Sequence, residues 1–368
     1  MALSALTKRK IRKIIPFGMI WLVMGALFLG VEHAALGNQD NIADTAIQLD
    51  IQVLLFALIG ITLIGSLVGF IEVVFLNKVF IHKSFGVKIV SKFVIYLLFF
   101  LVIILITFPI AASLELNTSV FDPRVWEKYR AFFFSITHLS AGVQLAFSLF
   151  ISLLYAEINE NLGQNVLLNF FTGKYHKPIQ EERIFMFVDM KDSTSIAEKL
   201  GHQEFFKLLR SYYFCFSNAI VKNYGEVYQY VGDEIVITWK MNKGLTANRC
   251  VQCFYDMKQA LLKDQESYLK NYGVMPDFKG AIHFGTVTTG EIGALKKEIV
   301  FTGDVLNTTA RILSLASTYK QDLLLSKALL QRLNLGEPFE VKEIGAPTLR
   351  GKVETVEIVA VNSRIEDF

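Results

Sequence analysis

Cysteine is scarce: 368 residues contain three, Cys215, Cys250 and Cys253. An odd, sparse count offers no disulfide framework and fits a reducing compartment. Cys250-x-x-Cys253 lacks a second ligand pair and lies in a helical pattern. Two buried core cysteines are therefore expected there, not zinc or redox chemistry. Basic residues are not concentrated either. The net charge is +3 and no Lys/Arg stripe alternates with aromatics, which argues against nucleic acid as a partner. The stretch 32–50 holds no Lys or Arg at all.

Apolar residues are abundant, at 52% with mean hydropathy +0.40, and they are unevenly placed. Four apolar runs fill the first 155 residues, over 15–31, 51–76, 89–112 and 131–155. Each is near or above the roughly 17–25 residues a helix needs to cross a bilayer. The first run has the basic start of a signal peptide, but no small-residue cleavage site follows and three more runs do. Lys8, Arg9, Lys10, Arg12 and Lys13 precede the first run, and Lys78, Lys83, Lys88 and Lys92 surround the turn between the second and third. The positive-inside rule then places the N-terminus, that turn and the C-terminal half in the cytoplasm, with 122–130 outside. The expectation is a multi-pass protein of a cell (inner) membrane, with the lipid bilayer as a partner.

Within the runs, Gly65-x-x-x-Gly69 is a spacing that lets helices approach closely. His138 falls in the fourth apolar zone, where a functional role and a hydrogen bond to a neighbouring helix explain it equally well. Glu72, near the cytoplasmic end of the second run, is expected to reach water. After the fourth run, Ile158, Leu162, Val166 (or Leu167) and Phe170 form one apolar stripe. They predict a short amphipathic connector helix, stopped by Gly173 and Pro178. It can pair with its copy in a second chain or pack on its own catalytic domain.

The second half alternates in period. A strand over 184–188 leads to Asp189, and Ser193 or Thr194 can cap the helical stretch 193–223, with Gly201 a point of interruption. Strands at 227–231 and 235–239 flank a Gly232-Asp233 turn. A helix over 245–268 and a strand over 278–284 complete a βαββαβ order, the α+β ferredoxin-like arrangement. In that fold strand one lies antiparallel beside strand three, so Asp189 and Asp233 converge at one sheet edge. Two half-buried carboxylates repel unless a cation lies between them. Carboxylate oxygens suit Mg²⁺ or Mn²⁺. Two such ions about 3.5–4 Å apart suit displacement at phosphorus. Farther on, Asn307 and Arg311 follow the Gly303 turn and share a helix face. An arginine fork matches phosphate oxygens, and asparagine can orient a sugar hydroxyl. Either alone would be ordinary polar helix surface; the carboxylate pair changes that weighing.

Phe187-Val-Asp189-Met-x-x-Ser-Thr194, Tyr230-Val-Gly232-Asp233-Glu234 and Gly303-x-x-x-Asn307-x-x-Ala310-Arg311 resemble the class III adenylate/guanylate cyclase catalytic domain. The likeness covers about residues 180–362 and points to a membrane-anchored form. With the four apolar runs and the connector pattern, the expected organisation is an N-terminal all-α four-helix transmembrane domain over 1–155, a connector over 156–180, the catalytic domain over 181–362 and a tail over 363–368, the likeness being confined to the catalytic part. The resemblance also implies that Asp189 and Asp233 bind two Mg²⁺ or Mn²⁺ ions per active site, that Asn307 orients the ribose, and that Arg311 stabilises charge on the transferring phosphate. In this family the aspartates come from one catalytic domain and the Asn/Arg pair from another. A homodimer through catalytic domains and connector helices follows.

The resemblance makes ATP the expected substrate and 3′,5′-cyclic AMP and pyrophosphate the products, because adenylate cyclases dominate the family's membrane-anchored members. Two positions depart from the family. Gln229 stands where adenylate cyclases commonly carry Lys and guanylate cyclases Glu. Val300 stands where they carry Asp and Cys. Glutamine fits either purine edge. Arg350-Gly-Lys352 resembles, less specifically, the family's later phosphate-binding turn. A guanylate cyclase making cyclic GMP and a catalytically weak nucleotide-binding receptor are the alternatives. A diguanylate cyclase is disfavoured, because Gly232-Asp233-Glu234 lacks the doubled glycine and following Phe of that hairpin.

Overall fold

The computed structural model describes residues 4–36, 51–76, 79–80, 83–116, 118–163, 166–347 and 355–364. Its contacts separate two units, Lys8–Asn165 and Val166–Phe368 with Met1–Thr7.

The first unit contains α1 (Ala5–Leu36), α2 (Ile51–Ile71, running on as a π turn over Glu72–Leu76), α3 (Phe85–Glu115), α4 (Pro123–Phe133) and α5 (Ile136–Leu162). Among the described residues, four segments are long and apolar enough to cross a membrane: Ala5–Val31, Ala57–Leu76, Phe85–Ile110 and His138–Leu162. The glycine pair packs helices within the chain. A Cβ on Gly65 would lie 2.3 Å from Trp21, and one on Gly69 would lie 2.8 Å from Phe17. So α1 rests directly on α2. Trp21 Nε1–H donates to Ser152 Oγ at 2.9 Å, tying α1 to α5 around a core of Phe17, Trp21, Val68, Tyr96, Leu149 and Leu153.

Several expectations are corrected here. The 122–130 segment is helical: Asp122 accepts from the Arg124 N–H and Pro123 opens α4. Ser135 starts α5 by accepting from the His138 N–H at 3.1 Å. His138 therefore lies in the first turn, against Phe132 and Phe133, not deep in a span. Glu72 does not reach water. It is 3% exposed and ion-paired with Lys92. The single connector helix is not formed: α5 continues to Leu162, Gly163 turns out at φ +91, and α6 (Val166–Thr172) is separate. Ile158 and Leu162 thus belong to the last turns of α5.

The second unit continues with β1 (Ile179–Met190), α7 (Ser193–Leu200), α8 (His202–Lys222), β2 (Glu226–Val231) and β3 (Glu234–Lys240). Next come α9 (Met241–Leu245), α10 (Arg249–Lys263), α11 (Gln265–Tyr272), β4 (Phe278–Ile292), β5 (Glu298–Thr302) and α12 (Asp304–Tyr319). The unit closes with β6 (Leu323–Ser326), α13 (Lys327–Leu330), β7 (Phe339–Gly345) and β8 (Ile358–Ser363). One eight-stranded sheet runs β2-β3-β1-β4-β6-β8-β7, with β5 pairing β4. Its first four strands have the ferredoxin-like order expected from the sequence; β5 to β8 extend it. The helix expected over 245–268 is interrupted. Asn248 takes a left-handed conformation, and its side chain exchanges hydrogen bonds with the Asn334 backbone.

Strand alternation divides the core. Ile184, Met186 and Val188 share one cluster with Tyr212 and Phe216 of α8 and with Cys250, Cys253 and Phe254 of α10. Phe185 and Phe187 join Val305, Ile312, Leu313 and Ala316 of α12 in the other. Each fully buried side chain of this size contributes about 1.5–3 kcal/mol. Both cysteines of the Cys-x-x-Cys spacing are free and buried.

Candidate active site

Asp189 is the penultimate residue of β1 and shares its strand face with Phe185 and Phe187, the α12 side. It pairs in register with Glu234 of β3 on one side and Lys279 of β4 on the other. Asp233 sits in the two-residue turn between Val231 and Glu234. Gly232 supplies the positive φ (+62) such a hairpin needs. Tyr213 of α8 pins the turn, its hydroxyl donating to the Gly232 carbonyl at 2.8 Å. The topology thus gathers three carboxylates, Asp189, Asp233 and Glu234, around one sheet end.

The facing charge is thin. Lys279 Nζ lies 3.3 Å from Asp189 Oδ2 and also donates to Ser317 Oγ at 3.1 Å. Burial first, and the Asp233 carboxylate second, push Asp189 above the usual carboxylate range despite Lys279. Glu234 is pushed up to about 7 by burial, then by Asp189 and Asp233. The repulsion is what a cation would relieve. Among the described residues no three His, Cys, Asp or Glu side chains form a complete metal cage. That is compatible with Mg²⁺, which takes one or two protein carboxylates and fills its remaining positions from phosphate and water.

The expected helix cap differs. Asp192, at φ +53, precedes α7, and no side chain caps that helix. Ser193 and Thr194 lie inside the first turn. The α7 N-terminus therefore presents backbone donors and the positive dipole end beside the carboxylates.

Asn307 and Arg311 occupy the outward side of α12. Asn307 is exposed and Arg311 half-buried, while Val305, Thr308, Thr309 and Ile312 are buried. The helix starts at Gly303, where a Cβ would meet the Thr286 carbonyl at 2.8 Å, so the chain can pass only as glycine. Val305 lies over Gly285, level with Arg183 of β1, whereas Ser317 meets Lys279, level with Asp189. Asn307 is ten residues before Ser317 and Arg311 six, about 15 and 9 Å along the axis. Within one chain, then, the carboxylates are brought together, and the Asn/Arg pair is offset from them and turned away from the sheet.

Gln229 is exposed on β2 beside a bulge at Tyr228, and Val300 lies on β5 opposite Gly290. Tyr228 packs edge-on against Phe301, and its hydroxyl accepts from the Phe301 N–H at 3.3 Å. That contact joins β2 to β5, which are not neighbours in the sheet. Arg350 and Lys352 lie outside the described residues. Sequence reasoning missed Glu234, Lys279 and Tyr213 as parts of this site. The first two follow from the strand register around Asp189; Tyr213 had no local signal.

The sheet order and the site at the end of β1 define a ferredoxin-like α+β domain built around paired carboxylates. The family model for the Adenylate and Guanylate cyclase catalytic domain matches residues 175–362, and the chain belongs to that family. Adenylate cyclase 2 of Rhizobium meliloti (strain 1021) is 32% identical over 206 residues, covering 56% of this chain and 57% of the relative. An adenylate cyclase of Anabaena cylindrica is 28% identical over 184 residues, covering 48% of this chain and 36% of the relative. The chain thus spans about half the length or less of these curated relatives. Among solved structures, a bacterial light-regulated adenylyl cyclase has the same fold, with TM-score 0.52 and 19% identity over 62% of this chain and 66% of that one.

Proposed function

We propose that the chain is a membrane-bound nucleotide cyclase that converts ATP to 3′,5′-cyclic AMP and pyrophosphate. The reading rests on the poorly neutralised carboxylates Asp189, Asp233 and Glu234, inside a domain of the cyclase family. Asp189 and Asp233 would hold two divalent cations. Bound there, Mg²⁺ or Mn²⁺ would offset triphosphate charge and acidify the ribose 3′-hydroxyl.

The chain's own groups do the rest. The uncapped N-terminus of α7 receives phosphate oxygens through backbone N–H groups. Lys279 limits repulsion among the carboxylates before substrate arrives. Asn307 positions the ribose. Arg311 offers a fork to the phosphate as charge builds on it. The 3′-hydroxyl gives its proton to solvent, its oxygen bonds to the α-phosphorus, the bond from that phosphorus to the bridging oxygen breaks, and pyrophosphate leaves with that oxygen.

Because Asn307 and Arg311 are offset from Asp189 within one chain, the complete site is composed across two copies. The aspartates come from one copy and the Asn/Arg pair from its partner, giving a homodimer with two sites. The α5–α6 segment is the proposed connector, and Arg350 and Lys352 are proposed to reach phosphate. The apolar helices supply the anchor in the bilayer, with the catalytic unit in the cytoplasm.

ATP is favoured by the likeness to the Rhizobium adenylate cyclase. One observation favours GTP as a second reading: Gln229 is exposed and Val300 brings no side-chain acceptor, so neither is committed to adenine. Purified full-length protein is assayed with ATP and with GTP, each with Mg²⁺ and with Mn²⁺. Cyclic AMP and pyrophosphate in equal amounts are expected from ATP. Exclusive cyclic GMP formation would transfer the assignment to guanylate cyclase. Tight nucleotide binding without turnover in any combination would replace it with a receptor.

A further inference from the structure

The helical unit encloses a second set of charges, remote in sequence from the cyclase residues. Glu72, Lys92 and Glu157 are each about 3% exposed. Lys92 pairs with Glu72 and lies 3.7 Å from Glu157 Oε2, while Lys88 holds Glu157 Oε1 at 2.8 Å. Three helices contribute, and buried charge in an apolar bundle is costly unless it is used or compensated. Compensation here is incomplete: Glu72 Oε2 has no hydrogen-bond partner among the described residues.

A cavity of about 30 Å³ adjoins it, room for one water. Its polar lining is Lys13 of α1, Glu72, and Tyr155, Glu157, Asn159 and Glu160 of α5. Glu72 also opens the π turn Glu72–Leu76. Such turns insert an extra residue, re-aim side chains and recur at functional sites.

We propose that this cavity is a proton-binding site, with Glu72 Oε2 as the acceptor atom. As a carboxylate, Oε2 is a buried acceptor that no donor satisfies at hydrogen-bond distance, although the Tyr96 hydroxyl interacts with this carboxyl. As a carboxylic acid it becomes a donor inside a cluster that also holds the carboxylates of Glu157 and Glu160. The charged and titratable groups around it are Lys13, with Arg9 one turn away, on α1; Lys88, Lys92 and Tyr96 on α3; and Glu157 and Glu160 on α5. Protonation releases Lys92 from Glu72 and commits it to Glu157. That changes the ion pair fixing the last turns of α5, the helix that ends at Gly163 just before the catalytic unit begins. Occupancy of the site then sets cyclase output, a consequence that rests on the cyclase reading above.

The test uses the full chain in lipid nanodiscs. Infrared difference spectra on acidification should show a protonated-carboxyl band that is missing in Glu72→Gln. In Glu160→Gln, which keeps Glu72 but removes a nearby negative charge, the band should persist and titrate at lower pH. Nucleotide turnover should change by about fivefold or more across that titration in the parent. Glu72→Gln should stay at the parent's acid-limb value throughout. A band that survives in Glu72→Gln, or an unmoved midpoint in Glu160→Gln, overturns the site. The infrared arm needs no turnover, so absence of cyclase activity would refute the cyclase reading without touching the proton site. Normal bands with parent-like turnover in Glu72→Gln would refute the coupling.

Discussion

Two clusters of opposite character stand side by side in the catalytic unit. Lys191 and Lys258 bind Asp277 and Asp322 at the mouth of β4: Lys191 Nζ lies 2.6 Å from Asp277 and 2.5 Å from Asp322, and Lys258 contacts both. Two ammonium groups meet two carboxylates, and the set neutralises itself. Burial alone would raise Asp277, but Lys258 and Lys191 overcome it and hold the carboxyl below its ordinary range. Two residues before Lys191 in the chain, Asp189 faces Asp233 and Glu234 with Lys279 as the nearby cation, and it is shifted the other way. The first cluster is complete as it stands. The second stores repulsion that proton uptake or an added cation relieves, and that asymmetry distinguishes a site from a brace.

The comparison breaks most sharply at Asp189. Asp189→Asn removes a proposed metal ligand and should cut cyclic AMP formation by at least about 100-fold. Activity within a few-fold of the parent, with Mn²⁺ saturating, would refute the metal role. Arg311→Ala should be similarly inactive, since its fork meets the transferring phosphate. The two inactive chains are complementary. Co-expressed, random pairing puts one intact site in half of the dimers, restoring about a quarter of parental activity. No recovery in pairs shown to associate would place all four residues in one chain.

The strand order and the meeting of Asp189 with Asp233 were legible because the apolar cores of β1, β2 and β3 are β-rich and only a two-residue turn separates β2 from β3. The extents were not. β1 pairs over its full length with β4, from Ile179 opposite Thr289 to Met190 opposite Phe278, so cross-strand hydrogen bonds carry both beyond their apolar cores. Glu72 was misread because hydropathy counts residues along a chain, whereas Lys92 and Glu157 reach it from other helices. The Ser193 or Thr194 cap was misplaced by one to two residues because Asp192 adopts a left-handed conformation, which no local pattern announced. The fourth run was misread as one helix from 131 for the opposite reason: Ser135 is an ordinary cap, and a continuous apolar run hid the break between α4 and α5.

A pH series sharpens the contrast next. Glu234, at about 7 instead of its ordinary 4.5, keeps a proton in the folded state that the unfolded chain has already lost. Metal-free stability should therefore fall as pH rises through that window, since the folded state binds more protons than the unfolded one. Metal binding should go the other way: the Mn²⁺ concentration for half-maximal activity should drop about tenfold as pH passes upward through 7, because ligands and their neighbours must be ionised. Glu234→Gln should flatten both trends. A metal-free thermal midpoint in that variant with the parent's pH slope would show that Glu234 is not the group responsible.

The smallest effect is expected at the self-neutral cluster. Asp277→Asn leaves Lys191 and Lys258 sharing Asp322, but Asp277 is 47% exposed, and solvent screens much of the loss. The cost should be about 1 kcal/mol, a fall of about 2–4 °C in thermal midpoint. Metal dependence and its pH profile should match the parent, because Asp277 takes no part in holding the cation. This variant also controls for the others. Like Asp189→Asn and Glu234→Gln it alters one carboxylate at the same end of the sheet, so fold damage near that edge would disturb metal dependence in Asp277→Asn as well. A shifted Mn²⁺ requirement there would show that the two clusters are electrostatically one, and the division between brace and site would fall.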